Sequence, residues 1–257
     1  MGFNMMEKKF AFTLAQNLLV MGIVFLFLIF VVFIPFYNNF QLKKSVVIYR
    51  TVYSKLLEAN RIYAIIDSQE QDVYDTSLPI NTFAETYFTP YLSIANYCKG
   101  DQSGCWNSPL YKDLKNTKYF NKSLYTIVLD DNTILGFHKE PKKNLVSVIV
   151  DTNGLEGRNT LGQDVFVFSF YNNKIRPKLC KASVYENAKI KDGIHFGGYD
   201  DCGIPYDTYD YKDLIRKDIP DGCSKKSEES KYGFGVGAAC GALLYKNLWV
   251  IDNNYPW

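Results

Sequence analysis

The chain has 257 residues, 29 lysines and arginines against 27 aspartates and glutamates, and a formal net charge of +2. This balance excludes nucleic-acid binding through a strongly basic face, and the 47% hydrophobic content excludes a wholly disordered chain. Only two histidines are present, His138 and His195, which argues against a histidine-rich zinc site. We therefore expect no cofactor and no nucleic-acid partner.

The first predicted element is an uncharged stretch from Phe10 to Leu42, which lies between Lys9 and Lys43. A helix of that length would reach roughly 50 Å, more than the ~30 Å of a bilayer's hydrocarbon core. A cleaved secretory signal has a shorter apolar run of about 7–15 residues. Because Lys8 and Lys9 precede the stretch, we predict a single pass through the inner (cytoplasmic) membrane, with everything beyond Leu42 extracytoplasmic.

The next segment is predicted to continue this helix to about Ile66. Apolar residues recur there at spacings of three and four, which is typical of a helix face that packs on a sheet. These positions are Tyr49, Val52, Leu56, Ala59, Tyr63 and Ile66.

Residues 124–171 are strand-like, because β-branched and aromatic residues are concentrated in short runs. Asp131-Asn132 is a hairpin turn signal between the first two runs. The runs are Leu124–Asp130, Thr133–His138, Leu145–Val150 and Val165–Tyr171.

The loop between the last two runs contains Asp151, Asn153, Glu156 and Asp164, whose side-chain oxygens could bind calcium. The position of Gly154 departs from the EF-hand spacing, so we favour a turn built from Asn-Gly and Gly. Calcium binding at these four residues is kept as the alternative, and no other metal site is predicted.

Further along, Tyr199–Tyr211 interleaves aromatic residues with carboxylates. Such a segment is typical of a solvated loop, with sugar or cation binding as the alternative. The chain has no G-x-S-x-G or P-loop motif, and neither histidine lies in a recognisable catalytic motif. We therefore do not expect an enzyme.

The cysteines all lie beyond the uncharged stretch, and their even number in an extracytoplasmic region predicts disulfides. No Cys-x-x-Cys pair occurs, which argues against thioredoxin-like or closely spaced metal motifs. Six cysteines allow many connectivities, of which we favour the two local pairs, leaving the remaining two cysteines for each other. The favoured pairs are Cys98–Cys105 and Cys223–Cys240, which leaves Cys180 with Cys202.

The segment from Lys8 to Gln16, Lys-Lys-Phe-Ala-Phe-Thr-Leu-Ala-Gln, resembles the cleavage and methylation signal of type IV pilins and type II secretion pseudopilins. In that family a prepilin peptidase removes a short basic leader before a Phe, and the new amine is methylated. The resemblance implies a leader at 1–11, a cut between Ala11 and Phe12, and methylation of Phe12. Two positions depart from the family pattern: Ala11 replaces the usual Gly, and Gln16 replaces the usual Glu.

Two later segments are similar to a pseudopilin-like group of bacterial proteins. Asp151–Phe168 carries Asn-Gly, Gly-x-Asn and Gly-x-Asp-x-Phe elements, and the chain ends with Cys240–Leu244 followed by Trp249 and Tyr255–Trp257. The resemblance thus touches the beginning, the middle and the end of the chain.

The fold that the resemblance implies is α+β and pilin-like. A long helix over 12–66, with its transmembrane part at about 12–36, would pack on an antiparallel sheet of about four strands at 124–171. Residues 67–123 would form a variable loop region, and residues 172–257 a disulfide-bounded C-terminal region.

The function that the resemblance implies is that of a minor, tip-located structural subunit of a type IV pilus or type II secretion pseudopilus. Its partners would be other pilin or pseudopilin subunits, the prepilin peptidase, the inner-membrane assembly platform and membrane lipid. After assembly it would lie in a periplasmic or extracellular filament. The alternative is an unprocessed, single-pass, membrane-anchored extracytoplasmic binding module.

Gln16 is the residue that indicates a position for this subunit at the tip of the filament. In the family the glutamate at this place is thought to neutralise the N-terminal amine of the subunit ahead of it. A neutral amide can hydrogen-bond that amine but cannot cancel its charge, and an unpaired ion in apolar surroundings costs several kcal/mol. A tip subunit has no neighbour ahead of it and loses nothing; the alternative is that Gln16 reflects neutral drift.

Overall fold

The computed structural model describes residues 3–67, 74–98, 105, 111–117, 124–140, 145–154, 156, 159–171, 190–191, 193–230 and 233–257. In the first helix, the side chains are described from Thr13 onward. The chain divides into two compact units, Met1–Lys44 and Ser45–Trp257. The fold is α+β, with a long apolar N-terminal helix and an antiparallel sheet.

The N-terminal helix begins as α1, Phe3–Leu28, passes through a π-helical turn at Ile29–Phe33, and continues as α2, Ile34–Asp67. The π turn has a local cause in Pro35, which has no amide hydrogen and whose ring clashes with the carbonyl four residues earlier. The Ile34 amide accordingly bonds the Ile29 carbonyl, five residues back. The helix therefore begins inside the predicted leader and ends one residue after the predicted Ile66.

The sheet has six antiparallel strands in sequential order β1-β2-β3-β4-β5-β6. Their bounds are β1 Ile94–Cys98, β2 Tyr125–Leu129, β3 Ile134–Glu140, β4 Leu145–Asp151, β5 Val165–Tyr171 and β6 Gly193–Phe196. Every residue of β4 and β5 is buried, so these two strands form the centre of the core.

The predicted count of about four strands is wrong, although the four runs recognised in 124–171 are β2 to β5. The two additional strands lie at the edges, inside the regions predicted as variable loop and C-terminal region. β1 contains Ala and Asn and is largely exposed, and β6 has only four residues and begins with Gly193. Edge strands of this kind lack the alternation and the β-branched content from which strands are recognised.

The turns predicted at Asp131-Asn132 and at Asn153-Gly154 are present in the structure. Asn132 in the β2–β3 hairpin has a φ of 65°, and Gly154 after β4 has a φ of 67°. A Cβ at Gly154 would lie only 2.7 Å from the Asn132 carbonyl oxygen. The two turns therefore approach each other so closely that only glycine fits at residue 154.

The part of α2 in the second unit packs on the sheet through its predicted apolar stripe. Tyr49, Val52, Leu56 and Ala59 are all buried, which confirms the stripe up to that point. The Tyr49 ring stacks on Phe166 and Phe168 of β5 with centroid distances of 4.5 Å to each. Its hydroxyl donates a 2.8 Å hydrogen bond to the Val167 carbonyl.

The end of the predicted stripe is wrong, because Ile66 is 63% exposed. Tyr63, one turn earlier, still makes an edge-to-face contact with Tyr87 of the short helix α3, Ile80–Tyr87. The buried face of α2 therefore ends before the helix does.

Two further short helices lie in the described part of the second unit: α4, Tyr211–Leu214, and α5, Cys240–Lys246. The first five residues of α5 are buried. At Gly241 a Cβ would lie 2.5 Å from the Tyr49 hydroxyl oxygen and 3.1 Å from its ring carbon Cζ. Tyr49 is thus enclosed by α5 as well as by the sheet.

We predict that Gly241→Ala destabilises the fold by about 1–3 kcal/mol, because Tyr49 stands where the new methyl group would lie. The direction is diagnostic, since alanine normally stabilises a helix by about 1 kcal/mol relative to glycine. Chemical unfolding of the full chain in detergent measures the effect.

The matched control is the same substitution made in Tyr49→Phe, which lacks the hydroxyl oxygen nearest to the new methyl group. Gly241→Ala should cost less stability in that background than in the wild type. Equal costs in both backgrounds, or a Gly241→Ala variant as stable as the wild type, would contradict the proposed packing of Tyr49.

Candidate functional site

The apolar part of the N-terminal helix is the first candidate functional surface. Within Thr13–Ile66, a window of 18 residues reaches a mean hydropathy of 3.1, and none of that window is buried. Large apolar side chains such as Phe25, Phe30 and Phe36 are 65–71% exposed. The helix is long and apolar enough to cross a membrane. A helix is suited to this environment because its backbone hydrogen bonds are made internally, and apolar side chains are stable in hydrocarbon.

The residues of the predicted leader junction lie at the beginning of this helix. Ala11 and Phe12 are in α1, but their side chains lie outside the described ones. Gln16, one turn later, is exposed. Cleavage and methylation therefore remain predictions.

The cysteines are paired as favoured from the sequence where the structure describes both partners. Cys98 at the end of β1 is bonded to Cys105, and Cys223 is bonded to Cys240 at the beginning of α5. Cys202 is also disulfide-bonded. Cys180 lies outside the described residues, so its pairing with Cys202 stays a prediction.

The calcium candidates lie around the end of β4. Asp151 is fully buried and receives a short hydrogen bond from the Tyr111 hydroxyl. Asp164 accepts a 2.5 Å hydrogen bond from the Thr160 amide and a 3.3 Å bond from the Asn153 side-chain amide. Glu156 is exposed.

The two buried carboxylates of this set accept hydrogen bonds from donors within the protein. Among the described residues, no three His, Cys, Asp or Glu side chains are grouped so that they could hold a metal ion. Burial raises the pKa of Asp151 to about 8 and that of Asp164 to about 6, against the opposing effect of their hydrogen bonds. Hydrogen bonds from Tyr111, Asn153 and Thr160 are accepted by the carboxylate oxygens of Asp151 and Asp164.

The segment Tyr199–Tyr211 is not the solvated loop that its composition suggested. Tyr199 and Tyr206 are fully buried, and the Tyr206 hydroxyl donates to the Pro220 carbonyl at 2.6 Å. Asp200 accepts hydrogen bonds from the Cys202 and Ile204 amides and from the Tyr209 hydroxyl. The interleaved carboxylates and aromatics therefore bond to each other and to the backbone.

A polar row on one face of the sheet, buried except for the half-buried His138, was not predicted. The strand register aligns His138, Ser147, Ser169 and His195 across β3 to β6. The alternation of side chains along a strand shows which residues of that strand share a face. The register between strands determines which residues lie side by side in the row, and it is known only from the structure.

His195 is held within this row by two acceptors. Its Nδ1 lies 2.8 Å from the Asp207 carboxylate and its Nε2 lies 2.9 Å from the Lys191 carbonyl. A carbonyl oxygen can only accept, so the Nε2 contact requires a proton on Nε2. The Ser169 hydroxyl lies within hydrogen-bond distance of the Gly197 and Gly198 carbonyls. These contacts direct its proton to the backbone and not to the His195 imidazole, which would have to accept that proton to activate a serine nucleophile.

Comparisons of the chain with protein-family models, with curated proteins and with solved structures found no match.

We predict that Asp151→Asn removes a pH dependence of stability. In the unfolded chain this carboxyl titrates near 3.8, whereas the folded value is about 8. The folded state therefore binds more protons between about pH 4 and 8, and the free energy of unfolding falls as the pH rises through that window. Asparagine imitates the protonated acid, so the variant should lose most of this fall and be more stable than wild type at pH 8.

The matched control is Glu156→Gln, which removes an exposed carboxylate from the same loop. Its unfolding free energy should follow the wild-type dependence on pH. A wild-type stability that rises between pH 4 and 8, or an Asp151→Asn variant with an unchanged profile, would show that burial does not dominate at Asp151.

Proposed function

We propose that the chain is a structural subunit of a type IV pilus or type II secretion pseudopilus, in a minor and tip-located position. It would be held in the inner membrane by the first part of its helix and join other pilin or pseudopilin subunits at the assembly platform after a prepilin peptidase removes residues 1–11. The observation that carries the proposal is the uncovered apolar helix, which continues as α2 into the folded second unit.

The uncovered helix is suited to leaving the membrane lipid and packing against the helices of neighbouring subunits in a filament. Lipid can cover its apolar side chains in the membrane, and the equivalent helices of neighbouring subunits can cover them in a filament. Lipid tails are as apolar as leucine, so the exchange depends on van der Waals packing and not on a new hydrophobic gain. A span whose side chains are uncharged from Phe10 to Leu42 suits both surroundings.

The second unit supports a role for the remainder of the chain as a stable, exported body. Its two local disulfides are of the kind that persists outside the cytoplasm. α2 belongs to both units, since it begins at Ile34 and ends at Asp67 while the division falls after Lys44. The span and the folded unit are therefore joined by helix and not by a loop.

We predict that co-expression with an active prepilin peptidase produces a chain that begins at Phe12. Ala11→Gly should be cut faster, because the family pattern has glycine before the cut, and Ala11→Leu should be cut poorly because the side chain is larger. N-terminal mass spectrometry of the purified chain measures the cut and the methylation of Phe12.

A second substrate that the same peptidase cleaves serves as the positive control. If that substrate is processed while the wild-type chain and Ala11→Gly both keep residues 1–11, the proposal is wrong and the unprocessed membrane-anchored module becomes the better account.

We predict that Gln16→Glu moves the subunit from the tip of sheared filaments into their length. The new carboxylate would neutralise the amine of the subunit ahead, which Gln16 cannot do. Immunogold labelling of a small epitope on the second unit measures the distribution of the chain along filaments.

Asn17→Glu is the matched control, since it places the same charge one residue further along an exposed face of the helix. This variant should not enter the filament shaft. A wild-type label spread evenly along filaments, and unchanged by Gln16→Glu, would defeat the tip assignment.

A further inference from the structure

A shallow cleft of about 520 Å³, widely open to solvent, lies on the second unit where the turn after Cys223 meets residues 253–257. We call residues 253–257 the terminal segment. The volume is within the range of roughly 300–1,000 Å³ that is usual for small-molecule sites. The lining residues are Ile215, Ser224, Lys225 and Lys226 together with Asn253, Asn254, Tyr255, Pro256 and Trp257.

The terminal segment is fixed in place by hydrogen bonds. Tyr255 is buried, and its hydroxyl donates to the Gly162 carbonyl at 2.6 Å. The Asn254 side chain donates to the Tyr211 hydroxyl at 3.2 Å. The backbone amide of Asn254 donates to the Asp252 carboxylate at 3.0 Å. This wall of the cleft is therefore formed before any ligand arrives.

The opposite wall is fixed by the chain around Cys223. The disulfide to Cys240 ties the beginning of the turn to α5. Within the turn, the Lys226 amide donates to the Ser224 hydroxyl at 3.2 Å and the Ser227 amide donates to the Ser224 carbonyl at 2.9 Å. Two lysine side chains project from a backbone that is held by these bonds.

The chemistry of the cleft combines an aromatic face with positive charge. Trp257 is 42% exposed, and the Lys225 ammonium lies 4.9 Å from the centre of its ring. Among the residues that the structure describes, neither Lys225 nor Lys226 forms an ion pair with a carboxylate. Asp252, on the chain just before the terminal segment, is bonded to the Tyr211 hydroxyl.

We propose that this cleft binds a sugar ring that carries a carboxylate. The exposed part of the Trp257 ring that Lys225 leaves uncovered suits the C–H groups of a pyranose ring, and the two ammonium groups suit its carboxylate. The exposed Asn253 amide can donate to and accept from ring hydroxyls. A small anion alone would leave the aromatic face unused, and a neutral sugar would leave the two positive charges unused.

This binding site goes beyond the role of a filament subunit. Its residues all belong to the second unit, and neither leader cleavage nor assembly is needed to form the cleft. The binding experiment can therefore fail while the filament proposal stands, and the reverse also holds.

The test uses the full chain in a zwitterionic detergent, because a detergent with a sugar headgroup would compete for the cleft. Glucuronate, glucose and acetate are the probes, and saturation-transfer difference NMR reports on the signals of each. We expect saturable binding of glucuronate, binding of glucose at least about tenfold weaker, and no displacement of glucuronate by equimolar acetate. Equal binding of glucose and glucuronate, displacement by equimolar acetate, or the absence of saturable glucuronate binding would each overturn the proposal.

Variants assign the binding to the cleft. Trp257→Ala should weaken glucuronate binding at least about tenfold, whereas Trp257→Phe should retain most of it because an aromatic face remains. Lys225→Gln should weaken the binding of glucuronate and leave that of glucose unchanged. Lys246→Gln, which removes an exposed lysine from α5, is the matched control and should bind as wild type. Wild-type binding by Trp257→Ala, or an equal loss in Lys246→Gln, would contradict the assignment.

Discussion

Tyr49 is the side chain on which the packing of the second unit depends. Its ring stacks on Phe166 and Phe168, and its hydroxyl reaches the Val167 carbonyl between them. Because a buried phenol without a partner would cost about 1–3 kcal/mol, this single bond fixes where α2 lies along β5. The close approach of Gly241 then fixes α5 against the same ring.

This anchorage explains how one helix can have two different surfaces. The turns of α2 that carry Tyr49, Val52 and Leu56 are covered by the core, so they need no other partner. The earlier apolar turns have no such cover among the described residues, and lipid or the helices of other subunits would cover them under the proposed function. This division between a covered and an uncovered part of one helix supports the proposed subunit function.

Much of this fold could be predicted from the sequence, because the strongest patterns belong to the most buried elements. β4 and β5 are recognised from their β-branched and aromatic runs, and the span from its length without charge. The edge strands were missed, since Gly193 and the polar residues of β1 give no alternation. Burial of Tyr199 and Tyr206, and the hydrogen bond from Tyr111 to Asp151, arise from long-range contacts that spacing along the chain does not encode.

Photo-crosslinking from the uncovered helix would test the central claim most directly. A photoreactive residue in place of Phe25, which is 65% exposed, reports what covers the helix in living cells. The account predicts adducts with chains that have the same leader and apolar helix, lost when the prepilin peptidase is deleted. Adducts with lipid alone, or protein adducts unchanged by that deletion, would contradict it.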